Sequence, residues 1–332
     1  MDLSTHYLGF DLPHPLMSGA SPLADDLDTV RRLEDAGSSA IVMRSLFEEQ
    51  ITGEQLATHA YLEEPADSFA EALSYLPSPE QFALGPEDYL EQLQNVKAAV
   101  GVPVIASLNG TTRGGWLEFA RLMQQAGADA VELNVYQLAT DPSRSADDIE
   151  RETLSMVRSI KEGLEIPVAI KLSPFYTSLA HFASQLDEMG IDGLVVFNRF
   201  YQADIDVEEL TVEKVLRLSD SHELLLRLRW LAILSGQVKT SLAVSGGVHT
   251  SFDAIKAVMS GAHAVQVVSA LLKHGPEHLM TLRRQMAEWM EEQGYQSLEQ
   301  MRGSMNLSRC PDPSAYERAN YMQILQSWQG YL

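Results

Sequence analysis

Several residues stand where their type and spacing would do chemistry. Lys171 lies inside an otherwise apolar run with Val168, Ile170 and Leu172. Burying such a lysine is costly unless it meets an anion or an electron-rich ring. The structural alternative is an ion pair to a loop carboxylate. Asn109, Asn134 and Asn198 each close a short apolar run. There an amide offers a donor and an acceptor edge, or caps the next helix. Ser245-Gly246-Gly247 and, further on, Val268-Ser269 have the form of a phosphate cradle. Glycines let backbone N–H groups approach, and a helix start supplies partial positive charge, although paired glycines also make plain turns. Tyr136 and Gln137 follow Asn134 into a polar loop, where a tyrosine serves as a proton donor or as a packing lid. Ala20, Ser21, Arg44 and Ser45 occupy comparable run ends earlier in the chain.

These positions share a cavity only if the elements carrying them form one sheet with its carboxyl ends together. The apolar runs are PLMSGA (15–20), SAIVM (39–43), VPVIASL (102–108), the central ADAVELNV, IPVAIKL (166–172), DGLVVFN (192–198), TSLAVSGGV (240–248) and AHAVQVVSA (262–270). Runs apolar on both faces are the habit of parallel strands. Helical spacing fills most of the gaps, at about 87–100, 115–126, 147–163, 177–189, 221–236, 251–260 and 276–292. The phrases AGSSAIV, AGADAV, MGIDGLV and SGAHAV recur before strands two, four, six and eight. In each, a glycine ends the helix and a small residue lets it approach the sheet. Eight such units predict an α/β fold, a (β/α)₈ barrel, with the site at its carboxyl mouth. A doubly wound sheet would leave the last units without a place. Residues 46–86, acidic with interspersed aromatics and prolines, read as an elaborated loop after strand two. The division expected is a barrel over 1–296 and a helical extension over 297–332.

Composition sets outer limits. The chain has 332 residues, enough for a sizeable core. Its formal net charge of −22 argues against a nucleic-acid partner, which would demand a basic surface. The single cysteine, Cys310, excludes an internal disulfide framework and fits a reducing compartment. With no cationic segment leading an apolar run at the start and no run of membrane-spanning length, a cytoplasmic protein without a membrane partner is expected. The nine histidines are scattered without ligand spacing, so no metal site is predicted.

Taken together, these stretches resemble the dihydroorotate dehydrogenase family over nearly the whole chain. HPLMSGAS and AGSSAIVMRSL look like its first two strands, ELNV like its fourth-strand motif, and IPVAIKLSPFYTSLAHF like its fifth. SGGVHTSFDAIKAVMSGAHAVQVVSALLKHGP resembles its flavin-phosphate region, and GYQSLEQMRG its carboxyl-terminal segment. The resemblance implies an FMN-dependent barrel. Lys171 would contact the flavin ring, and Asn134 and Asn198 would border flavin and substrate. Gly246, Gly247, Val268 and Ser269 would hold the phosphate. Ala20, Ser21, Arg44, Ser45 and Asn109 would complete the cofactor site. It also implies a small-molecule substrate, pyrimidine biosynthesis and a homodimer.

The departures bear on substrate more than on cofactor. The family's fourth-strand loop reads Asn-x-Ser, a Cys or Ser base, then Pro-Asn; here it reads Asn134, Val135, Tyr136, Gln137, Leu138, Ala139. Gln137 at the base position cannot accept a proton at neutral pH, leaving Tyr136 as the nearby proton donor. Arg44 replaces a lysine, keeping the charge but presenting a planar fork, and Val268 replaces a glycine. The family's Asn-rich substrate segment is unrecognisable in THAYLEEPADSF. The expectation is therefore an FMN-dependent oxidoreductase acting on CH–CH groups, moving a hydride between flavin N5 and a small cyclic or conjugated substrate. The alternatives are true dihydroorotate oxidation with a base relocated to Ser143 or Ser145, and a non-catalytic barrel subunit.

Overall fold

The structure is a computed structural model, and it describes residues 1–47, 85–109, 113–135, 138–200, 202–213, 215–317 and 320–327. Most of the 46–86 loop, together with Tyr136 and Gln137, lies outside the described residues.

Strand formation follows the apolar runs. After a hairpin of β1 (Thr5–Tyr7) and β2 (Phe10–Leu12) come β3 (Leu16–Ser18), β4 (Ile41–Phe47), β5 (Val104–Asn109), β6 (Ala130–Asn134), β7 (Val168–Leu172) and β8 (Gly193–Val196). A second hairpin, β9 (Asp204–Asp206) and β10 (Thr211–Glu213), precedes β11 (Ser241–Ser245) and β12 (Ala264–Val267). Strands β3 to β8, β11 and β12 close into one eight-stranded barrel, with β12 returning to β3. Every barrel pair is parallel. The fold is the expected (β/α)₈ barrel. Neither hairpin was anticipated; three-residue strands fall below what a period-two pattern can register.

Alternation along each strand divides the side chains. Leu16, Ile41, Val131, Leu133, Val168, Ile170 and Val244 point outward into one core with the helices. Met17, Val42, Ile105, Ala130, Ala169, Val195, Ala243 and Ala264 point inward and form a second cluster. The inward floor is rich in alanine, and the first hairpin fills the space so left. Tyr7, Leu8 and Leu12 belong to the inner cluster. A Cβ on Gly193 would lie 2.6 Å from Leu8 Cδ2, so a larger residue there would force the plug to shift.

The recurring phrases do more than end helices. Two residues after each helix-terminal glycine stands Ser39, Asp129, Asp192 or His263. The Asp129 carboxylate accepts the Val104 N–H at 2.7 Å, Asp192 accepts Val168 N–H at 2.8 Å, and His263 Nδ1 accepts Leu242 N–H at 3.0 Å. Ser39 Oγ instead donates to the Leu16 carbonyl at 2.7 Å. Each clamp pins the start of the preceding barrel strand; at Leu16 the carbonyl also accepts the Ser39 N–H at 3.0 Å. Lys97 and Lys161 neutralise the two carboxylates.

The segment after residue 296 lies on the outside of the barrel. Leu298 and Met301 are fully buried, and the backbone N–H groups of Gly303, Met305 and Leu307 donate to Val258, Met259 and Ala232. A short helix at Asn320–Gln326 ends the described chain with Tyr321, Met322, Ile324 and Leu325 exposed.

Candidate active site

Parallel closure brings the carboxyl ends of β4 to β7 into register. Asn109 pairs with Asn134, and Asn134 with Lys171. A shift in the β4–β5 register between Val42 and Ser45 sets Ser45 opposite Ser107. The Ser45 and Ser107 hydroxyls are 2.8 Å apart. Asn134 Nδ2 donates to both, at 2.5 Å and 3.0 Å. The amide is thereby fixed in orientation, while its Oδ1 is buried and has no hydrogen-bond partner among the described residues. Such an orphaned acceptor is rare in a finished interior and suits a ligand N–H. Tyr89, from the helix over Pro86–Ala99, braces this corner: its hydroxyl donates to the Ser107 carbonyl and accepts the Ser107 N–H. Burial pushes that phenol well above its usual range.

Across the β6–β7 pair from Asn134 sits Lys171, 4 % exposed. Its ammonium lies 3.1 Å from Glu132 Oε1 on β6 and 3.0 Å from Gln266 Oε1 on β12. The partner is a strand carboxylate rather than a loop one. Burial raises the Tyr7 phenol far above its ordinary value, and the Glu132 charge adds to the shift. The plug therefore meets this layer as a neutral group.

The other expected residues distribute around the mouth. Ala20 packs on the inner cluster, and Ser21 is buried with its hydroxyl unpartnered among the described residues. Arg44 donates to Asp25 at 2.7 Å, so its charge is already answered within the loop after β3. The Asp25 carboxyl is nevertheless raised, because burial outweighs the arginine. Asn198 follows β8, and its side-chain oxygen accepts the N–H of Arg199.

At the far side, Gly246 and Gly247 have φ of +88° and +82°. A Cβ on Gly247 would come within 2.5 Å of the Leu224 nitrogen, so this turn admits no side chain. Gly247 N–H donates to Ser219 Oγ at 3.3 Å, and Ser219 N–H donates to Ser269 Oγ at 3.1 Å. Ser219 thus bridges the two expected halves of the cradle. Lys273, donating to the Ser219 carbonyl, and His249, 3.3 Å from Ser219 Oγ, flank it. Burial, then the nearby Lys273 charge, lowers the His249 pKa. Val268 leans across to Gly19, where a Cβ would meet Val268 Cγ2 at 2.7 Å.

Comparison with known proteins gives this geometry its context. The family model described as dihydroorotate dehydrogenase matches residues 3–290. The chain belongs to the dihydroorotate dehydrogenase family. It is 26 % identical to the catalytic subunit of dihydroorotate dehydrogenase B (NAD(+)) of Thermoplasma acidophilum, over 91 % of this chain and 98 % of that protein. It is likewise 26 % identical to a putative dihydroorotate dehydrogenase A (fumarate) of Aeropyrum pernix, over 91 % of this chain and 97 % of the relative. Identity to the NAD-dependent dihydropyrimidine dehydrogenase subunit PreA of Escherichia coli is 23 %, covering 93 % of this chain and 78 % of that one. As a member of the dihydroorotate dehydrogenase family the chain is an oxidoreductase.

The fold also brings residues not singled out in the sequence into contact with these groups: Ser107, Glu132, Gln266, Ser219 and Tyr89. Glu132 and Gln266 carry the same signal that drew notice to Lys171, a polar residue inside an apolar strand. Tyr89 and Ser219 carried none, since their roles depend on which loop or helix folds over the mouth.

Proposed function

We propose that this protein is an FMN-dependent oxidoreductase of CH–CH groups, acting on a small cyclic or conjugated substrate. The observation that carries the reading is the pairing of a buried cation with an orphaned, pre-oriented amide oxygen, Lys171 beside Asn134, at the mouth of a family barrel. A bound FMN would supply the hydride chemistry at its N5. The residues fit that group: Lys171 would place positive charge against the electron-rich part of the ring, and Asn134 Oδ1 would accept a ring N–H. Gly246, Gly247 and Ser269, with Lys273 beside them, would take the phosphate. Ser45 and Ser107 hold Asn134 in the one orientation that leaves its acceptor free.

The names of the relatives support a dihydropyrimidine ring as substrate class. Dihydroorotate itself is the weaker candidate, because Gln137 takes the base position. The relocated-base version finds no support in Ser143 or Ser145: both are exposed, Ser143 Oγ donates to Asp141, and Ser145 is tied into a reciprocal cap with Asp148. Tyr136 remains the proton donor of this reading. The same reading carries a cytoplasmic homodimer, with the barrel over 1–296 and the extension over 297–332.

The test is the visible spectrum of the purified protein, followed by anaerobic addition of dihydrouracil and of dihydroorotate. Flavin bands bleached by dihydrouracil are the expected result. Absence of flavin bands, even after FMN is supplied, overturns the proposal. Bands that only dihydroorotate bleaches would return the substrate to the family's own.

A further inference from the structure

Lys171 is one corner of a closed polar triangle just inside the mouth. Lys171 Nζ donates to Glu132 Oε1 and to Gln266 Oε1, and Gln266 Nε2 donates to Glu132 Oε2 at 2.5 Å. The three residues are 4 %, 1 % and 0 % exposed. Both Glu132 oxygens and both ends of the Gln266 amide are used, whereas the ammonium spends two of its three protons. Among the described residues no acceptor takes the third. The backbone of Gly19 passes close to Gln266, where an added Cβ would lie 3.1 Å from Gln266 Cβ.

The charge balance is equally specific. Around and below the triangle lie Met17, Val195, alanines and the neutral Tyr7. Above it, Arg44 is answered by Asp25. The sealed layer therefore sums to zero, one cation against one anion. A carboxylate buried this deeply is retained at considerable desolvation cost. A packing role alone would be met by an apolar side chain of similar volume.

We propose that Glu132, held in place by Gln266, is a positioning residue that sets how strongly Lys171 favours the reduced over the oxidised cofactor. Lys171 supplies attraction to the anionic reduced flavin. Glu132 opposes it through the same space and fixes the direction of the third N–H. Removal of either charge shifts the balance in opposite directions. The inference rests on the FMN reading above and assigns within it what sets the cofactor's redox preference.

The test compares reduction potentials of bound and free FMN, which give the ratio of affinities for the reduced and oxidised forms. For Glu132→Gln, the preference for reduced FMN is expected to rise about tenfold or more, the scale of one unit charge a few ångströms away. Lys171→Met should lower it, and the double variant should fall back toward wild type. Gln266→Glu, nearly isosteric and adding a second anion, should lower it too, so the proposal stays testable if Glu132→Gln folds poorly. A merely structural triangle would weaken both redox states equally; a ratio unchanged in Glu132→Gln and Gln266→Glu overturns the proposal. Wild-type protein that takes up no added FMN overturns the function beneath it, and the proposal with it.

Discussion

The two ends of the barrel are built on opposite principles. At the amino ends of the strands, Asp129, Asp192 and His263 spend an acceptor on an N–H at the start of the preceding strand, and Ser39 spends its hydroxyl on a carbonyl there. The plug of Tyr7, Leu8 and Leu12 then fills the floor. At the carboxyl ends, side chains are oriented with equal care but left unfinished: Asn134 is held by two serines while its Oδ1 stays without a partner among the described residues. The floor clamps spend their polar groups on the strand starts, although the Tyr7 hydroxyl and His14 Nδ1 there also lack a partner among the described residues; the mouth holds Asn134 Oδ1 pre-oriented beside Lys171. Substitutions at the two ends should therefore separate stability from function.

The largest effect is expected where the two regions meet. Lys171→Met removes the cation of the mouth and strands Glu132 as an unpaired buried charge. A loss of about 3–5 kcal/mol is expected in chemical denaturation, together with weaker retention of flavin through purification that added FMN restores. Next comes a pure floor change. Leu8→Ala opens a cavity in the plug and should cost about 2–5 kcal/mol, with the flavin spectrum and its reduction unchanged. If that variant loses flavin at wild-type stability, the division of labour between floor and mouth is wrong.

Acid tests the floor in another way. His14 and His263 are both lowered from the usual 6.5 to about 4, chiefly by burial. A histidine whose folded pKa is depressed contributes stability that is present above its unfolded value and is lost as pH falls through the folded one. Stability should therefore decline between about pH 6.5 and 4, by on the order of 3 kcal/mol for His14 and by less for the partly exposed His263. His263→Asn, which retains an acceptor for the Leu242 N–H but cannot titrate, should flatten part of that decline in urea melts taken across this range.

The smallest change in stability belongs to the mouth. Asn134→Ala leaves Ser45 and Ser107 bonded to each other, so denaturation should shift by about 1 kcal/mol or less. The rate of flavin reduction by substrate, followed by stopped-flow absorbance, should fall at least about tenfold. A variant with normal reduction but much lower stability would make Asn134 a structural residue.

Much of this was legible in the chain. The eight apolar runs, the four recurring phrases and the glycine pair name the barrel, its quarter-repeats and its tight turn after strand seven, because strand burial and helix termination are local demands that each stretch meets by itself. The same holds for Lys171: a charge between Ile170 and Leu172 announces itself. What the sequence left open depends on closure. Glu132 and Lys171 are 39 positions apart, and Lys171 and Gln266 are 95 apart; only the return of β12 to β3 makes them one triangle. Likewise the bulge in β4 sets Ser45 against Ser107, and only the cover of the 86–99 helix brings Tyr89 to them. Sequence by itself determined which residues had to be buried and where the backbone must turn. Tertiary structure decided which buried polar groups satisfy one another and which, like Asn134 Oδ1, are left for something else to satisfy.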